Sequence, residues 1–141
     1  MRITTRGRYA LRASLALAQL GIDGKAISIN TLAKKENISS VFLEQIFFKL
    51  KKAGIVSSMR GPGGGFKFLQ PLDELTVKQI LVAAGEPLDI TFCNKSVHNC
   101  EWIEKCISHH VWVNANELVK DYFDKITLSS ILEKHKREET Q

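Results

Sequence analysis

In the stretch GRYALRASLALAQL, Leu11, Leu15 and Ala18 recur at the i, i+4, i+7 spacing of one helical face, which predicts a first helix over residues 7–20. Gly21, Asp23 and Gly24 punctuate it. ISINTLAKKENI then carries Ser28 where an N-cap belongs, with Leu32 and Ala33 facing inward. SSVFLEQIFFKLKKAG predicts a third helix: Ser39 or Ser40 caps it, Phe42, Ile46 and Leu50 form its apolar stripe, and Gly54 stands at C′. Beyond Gly54 the texture changes to a short β-prone run (IVSSM), a turn (GPGGG) and a second short alternating run (FKFL), which together predict a hairpin. LTVKQILVAAG opens with Thr76 and Gln79 spaced as a capping box and Leu75 and Ile80 at the staple positions, and Gly85 and Pro87 close it. The following segment is polar and turn-like as far as Cys100. From about residue 103, Ile107, Val111, Leu118 and Tyr122 mark a long amphipathic helix. Thr127 begins a last short helix, LSSILEKH, ahead of a charged tail expected to fray. The expected fold is mainly α with a small β-hairpin wing: three helices and a glycine-tipped hairpin in winged helix-turn-helix order, followed by a long C-terminal helix.

Composition changes this picture little. The 141 residues are one domain's worth, 44% hydrophobic and 25% charged, and no run approaches the roughly 20 apolar residues of a membrane span. Arg12 and Gln19 interrupt the apolar patch near the N-terminus, leaving too short a core for a signal peptide, so the expectation is a cytoplasmic protein with no membrane partner. Charge is more informative. Residues 1–70 carry 12 Lys/Arg against 3 Asp/Glu, or +9, while residues 71–141 carry 8 against 12, or −4. A basic winged-helix half points to double-stranded DNA, with the third helix in the major groove and the hairpin at the backbone or minor groove.

Within that frame the third helix exposes Ser39, Ser40, Glu44 and Gln45 on its N-terminal turns. Gln can pair with adenine and Glu can accept from cytosine N4. Solvated helix surface is the competing reading for each. Lys49, Lys51 and Lys52 suit phosphate contact or the helix C-terminal dipole equally well. At the hairpin tip, RGPGGG offers a guanidinium, a rigid proline and more glycine than a plain turn needs, so Arg60, Gly61 and Pro62 are placed to enter a groove. The motif lacks the GK[ST] ending and strand-to-helix setting of a nucleotide-phosphate loop, and no enzymatic reading is carried forward.

CNKSVHNCEWIEKCISHH, residues 93–110, holds all 3 cysteines of the chain. An odd number of thiols in a reducing compartment disfavours disulfides. The spacing Cys93-x₆-Cys100-x₅-Cys106-x₂-His109 is wider than the C-x₂₋₄-C knuckles of structural zinc and suits a loop wrapped around an iron–sulfur cluster. His109 and His110 stand three and four residues beyond Cys106, so either imidazole shares its face if a helix has begun there. Zinc and unliganded sensor thiols stay open as alternatives.

MRITTRGRYAL, VFLEQIFFKLKKAGIVSSMRGPGGGF and ITLSSIL together resemble the bacterial Rrf-type winged-helix regulators, over residues 1 to about 132. The resemblance implies a homodimer, held by the long C-terminal helix, that binds operator DNA and represses or activates transcription. It implies DNA contacts from Glu44 and Gln45 and from Arg60, Gly61 and Pro62, and a 2Fe–2S cluster held by Cys93, Cys100, Cys106 and His109. On this division residues 1–72 form the DNA-binding part and residues 73–141 the cluster loop and dimerisation helices of one compact domain. Two features depart from the member the chain most resembles, and one sets it apart from other members. Val41 replaces a polar residue, the first cysteine gap is one residue longer, and Arg8 stands where members with a 4Fe–4S cluster have an aspartate. The alternatives are a cluster-free regulator with zinc or a thiol switch, and a small iron–sulfur redox protein, which leaves the basic half and the wing unexplained.

Overall fold

A computed structural model describes residues 2–93 and 100–141 of the chain. The helices and strands follow in the order α1 (Thr5–Leu20), α2 (Ile29–Glu36), α3 (Ser40–Lys52), β1 (Val56–Met59), β2 (Gly65–Phe68), α4 (Val77–Ala83), α5 (His109–Asp124) and α6 (Leu128–Glu139), with one 3₁₀ turn at Ile22–Gly24. Hydroxyl caps start five of the helices. Thr4, Ser28, Ser39, Thr76 and Thr127 each accept from a backbone N–H of the first turn. At α4 and α6 the capping box is complete, because Gln79 and Ser130 reach back to the N–H groups of Thr76 and Thr127. The two cap segments also pair with one another: Val77 N–H donates to the Ile126 carbonyl and Leu128 N–H to the Leu75 carbonyl, both at 2.9 Å. This pairing fastens the start of α6 beside α4.

The core lies between α1, α2, α3 and α4, where Leu17, Leu32, Ile46, Phe47, Leu50 and Ile80 are all at most 1% exposed. The buried face of α1 is Ala10, Ala13 and Leu17, with Leu11 and Leu15 half-buried at its edge. The expected Leu11–Leu15–Ala18 face is therefore rotated. Small residues let α1 approach its neighbours closely, and the bulkier leucines fill the margin toward α5 and α6. On α3 the stripe is the wider set Leu43, Ile46, Phe47 and Leu50, while Phe42 packs at the rim, edge-on to Tyr9 at 5.7 Å.

The wing is the antiparallel pair β1–β2, with Val56 opposite Phe68 and Met59 opposite Gly65. It does not stand alone. Ile27 and Phe66 exchange both backbone hydrogen bonds, at 3.0 and 2.8 Å, and the Phe66 ring lies 5.1 Å from that of Phe47. Gly65 makes this possible, since a Cβ there would run into the backbone of Ile27. The hairpin is thereby fixed to the start of α2 and to the inner face of α3.

Two C-terminal expectations change. The long helix begins at His109 rather than near residue 103, because residues 101–105 form successive turns. The charged tail does not fray: α6 runs to Glu139, with Glu133–Arg137 and His135–Glu139 paired at i, i+4 and Lys136 and Arg137 in its last turn.

Candidate nucleic-acid interface and thiol segment

On the N-terminal turns of α3, Ser39, Glu44 and Gln45 are exposed as expected, whereas Ser40 is half-buried rather than exposed. The Ser39 oxygen already accepts from Phe42 N–H at 3.4 Å, so its first role is to cap the helix. Val41 is 63% exposed on the same face and presents an apolar surface there. Lys51 is drawn toward the wing, where its ammonium donates to Ser58 Oγ at 2.7 Å.

At the wing tip Arg60, Gly61 and Pro62 are all exposed, and Arg60 joins no ion pair among the described residues. Gly64 N–H donates to the Gly61 carbonyl at 2.9 Å, with Pro62 second and left-handed Gly63 (φ +74°) third, which is the type II pattern. A side chain on Gly64 would strike the Gly61 carbonyl and the Arg60 backbone. The glycines at the tip are thus required by the turn and by its contact with Ile27. The sequence argument that they exceed a hairpin's needs does not hold. The case for a groove contact rests instead on the exposed, unpaired Arg60 carried on an anchored hairpin.

Sequence reasoning gave no role to Glu86, yet it is 4% exposed and ties the segment after α4 to the N-terminus of α1. Its carboxylate accepts from Thr4 N–H at 3.2 Å, from the Thr4 hydroxyl, and from Gly7 N–H at 3.1 Å. A negative group thus sits at the positive end of α1. Arg6 Nη2 donates to the neighbouring Gly85 carbonyl at 3.0 Å. The chain then continues along α5, where Lys120 pairs with Asp89 at 2.7 Å and the buried Asn116 Oδ1 accepts from Ile90 N–H at 2.6 Å. Residues 85–90 form a strap from α1 to α5 that leads directly to Cys93. Its one sequence signal was an acidic residue between a helix-ending glycine and a proline.

Cys93 and Cys106 are half-buried, Cys100 is exposed, and all three thiols are free. Residues 94–99 lie outside the described residues, and the turn-like reading of that stretch with them. Because α5 starts at His109, Cys106 precedes the helix, and the i+3/i+4 placement of His109 and His110 relative to Cys106 does not apply. His109 is half-buried and His110 exposed. Among the described residues no three His, Cys, Asp or Glu side chains converge as a group that could hold a metal ion. The Cys106 sulfur lies 3.3 Å from Ser108 Oγ. Hydrogen bonding from the Ser108 side chain, then from the Ser108 backbone, lowers its pKa below the ordinary thiol value, and burial opposes this weakly.

A three-helix core with an anchored basic wing defines a winged-helix DNA-binding regulator. The chain belongs to the Rrf2 family, whose description is "Iron-dependent Transcriptional regulator" and whose pattern matches residues 3–134. A Neisseria meningitidis protein described as an HTH-type transcriptional regulator is 41% identical over 133 residues, 94% of this chain and 88% of its own. The regulator IscR of Erwinia tasmaniensis is 34% identical over 132 residues, 94% of this chain and 79% of its own. Among solved structures, CymR, described as the global cysteine regulator of Bacillus subtilis, superposes with a TM-score of 0.74 at 26% identity, covering 93% of this chain and 95% of its own. Membership in a family of transcriptional regulators sets aside enzymatic and electron-transfer readings. No described helix is long and apolar enough to cross a membrane.

Proposed function

We propose that the protein is a homodimeric regulator that binds operator DNA through α3 and the wing and reports iron–sulfur or redox status through the thiol segment. In this reading Ser39, Ser40, Glu44 and Gln45 face base edges and phosphates of the major groove, and Arg60, Gly61 and Pro62 approach the minor groove. Residues 1–72 do the DNA binding and residues 73–141 the sensing and pairing, in the cytoplasm. Cys93, Cys100, Cys106 and His109 are the donors for a 2Fe–2S cluster, which when bound supplies a redox-active, oxidant-sensitive centre. The donor chemistry fits: three thiols outside any disulfide and one half-buried imidazole at the entry of α5. Dimerisation is supported by α5, on which Val111, Leu118 and Tyr122 share one face and are 58%, 70% and 64% exposed.

The observation that carries the sensing part is the strap. Glu86, Asp89 and Ile90 tie the approach to Cys93 both to the N-terminus of α1 and to α5. Ordering or releasing the thiol segment therefore pulls on the helix that flanks α3 and on the helix offered to the partner, which changes the separation of paired recognition helices. Anaerobic purification with visible and paramagnetic-resonance spectra and iron and sulfide analysis tests this. The expected result is charge-transfer absorption with matching iron and sulfide, lost on oxidation. A colourless protein without iron or sulfide rejects the cluster, and one zinc per chain assigns the donors to a structural site.

One observation favours a second reading. The hydrogen bonds from Ser108 that lower the pKa of Cys106 favour its thiolate form, as a direct thiol switch requires. Metal-free protein whose DNA affinity changes on oxidation and recovers on thiol reduction selects that reading.

A further inference from the structure

Beside the base-facing turn of α3 lies a concavity of roughly 380 Å³, lined by Thr4, Thr5, Arg6, Phe42, Gln45 and Lys49, of which only Gln45 belongs to the recognition set. Two cations meet there. The Arg6 guanidinium comes from α1 and the Lys49 ammonium from α3, and both close over Gly85. From the point where a Cβ on Gly85 would stand, Lys49 Nζ is 3.2 Å and Arg6 Nη2 3.4 Å away. No carboxylate separates them: among the described residues neither joins an ion pair. The nearby Glu86 carboxylate is engaged by Thr4 and Gly7. Two positive groups held this close repel, and an anion between them converts repulsion into attraction.

The hydrogen bonding points the same way. The Lys49 ammonium donates to no described group, and Arg6 uses Nη2 for the Gly85 carbonyl while its buried Nε has no acceptor. A free ammonium and a guanidinium lining one concavity suit a ligand rich in acceptor oxygens. Gln45 stands one turn before Lys49 on the same face of α3, so the concavity adjoins the residue placed to read bases.

We propose that Arg6 and Lys49 form a clasp for one phosphodiester group of the DNA backbone, next to the base pair that Gln45 faces. The clasp rests on the DNA-binding reading and deepens it. A phosphate gripped from α1 and α3 together fixes the angle at which α3 enters the groove, a register role that carries no sequence preference of its own. Arg6 is also held by the Gly85 carbonyl, at the head of the strap that runs toward Cys93.

The test is the salt dependence of binding to two duplexes, one of mixed sequence and one selected by the protein from a random pool, for the wild type, Lys49→Gln and the Arg6→Gln/Lys49→Gln pair. Lys49→Gln removes a group that bonds to nothing, so its thermal unfolding should match the wild type and keep the result interpretable. The expected outcome is weakening of both duplexes by the same factor, with the slope of log K against log salt falling by about 0.9 per clasp in the double variant. A neutral methylphosphonate at the clasped position should then weaken the wild type and leave the double variant unchanged. An unchanged slope in both variants overturns the clasp and leaves DNA binding standing. A wild-type protein that binds neither duplex in low salt overturns the DNA-binding reading itself.

Discussion

Gly7 and Glu86 show how much of this molecule depends on single atoms. A Cβ on Gly7 would come within 2.7 Å of Glu86 Cδ, and Glu86 cannot turn aside without giving up its bonds to Thr4 and Gly7. Gly7→Ala should therefore cost about 1–3 kcal/mol as overpacking at a buried, hydrogen-bonded site, measured by denaturant unfolding. An unchanged midpoint would mean that the carboxylate is free to move. Cys106 makes a second prediction at this scale. Its pKa is lowered mainly by the Ser108 side chain, so in metal-free protein its alkylation by iodoacetamide should rise at a lower pH than for a free cysteine. Ser108→Ala should move that rise part of the way back toward higher pH, since the backbone hydrogen bonds persist. A profile that ignores the substitution contradicts the assignment. Neither feature could be read from the chain. The partners of Glu86 are 79 and 82 residues away, and the environment of Cys106 depends on α5 starting three residues later.

At the scale of elements, local chemistry was legible where it is local. The caps at Ser28, Ser39, Thr76 and Thr127 and the C′ glycine at Gly54 were all apparent, because each acts within a turn of its own position. The α5 apolar periodicity was legible too, but not its direction. Val111, Leu118 and Tyr122 repeat as a helix face should, yet they point away from the chain's own core, and among α5 residues only Asn116 is buried. Periodicity reports that a face needs covering and is silent on what covers it. If a second copy does, Leu118→Glu places a charge in an apolar interface at a cost of several kcal/mol. Sedimentation should then report a monomer where the wild type is a dimer. A dimer of undiminished stability would move the interface elsewhere. The wing carries the opposite lesson. Its glycine content looked like a device for groove entry, and the geometry assigns it to the turn at Pro62 and the contact with Ile27.

Across the whole molecule, the 12 basic residues among the first 70 sit on the α1–α3 and wing half, and the strap at 85–90 joins that half to α5 and the cysteines. In the proposed function this strap couples a DNA-gripping basic surface to a thiol segment that acts on α1 and α5. The family of transcriptional regulators supplies the frame, and the anchored wing with its exposed arginine supplies the contact most open to test. Fluorescence anisotropy of a labelled duplex selected by the protein, titrated with wild type and Arg60→Ala at one fixed salt concentration, addresses it directly. The account predicts a loss of about 1–3 kcal/mol, roughly 5- to 150-fold in affinity, with unfolding and any bound cluster unaltered. Equal affinity for the two proteins would contradict it.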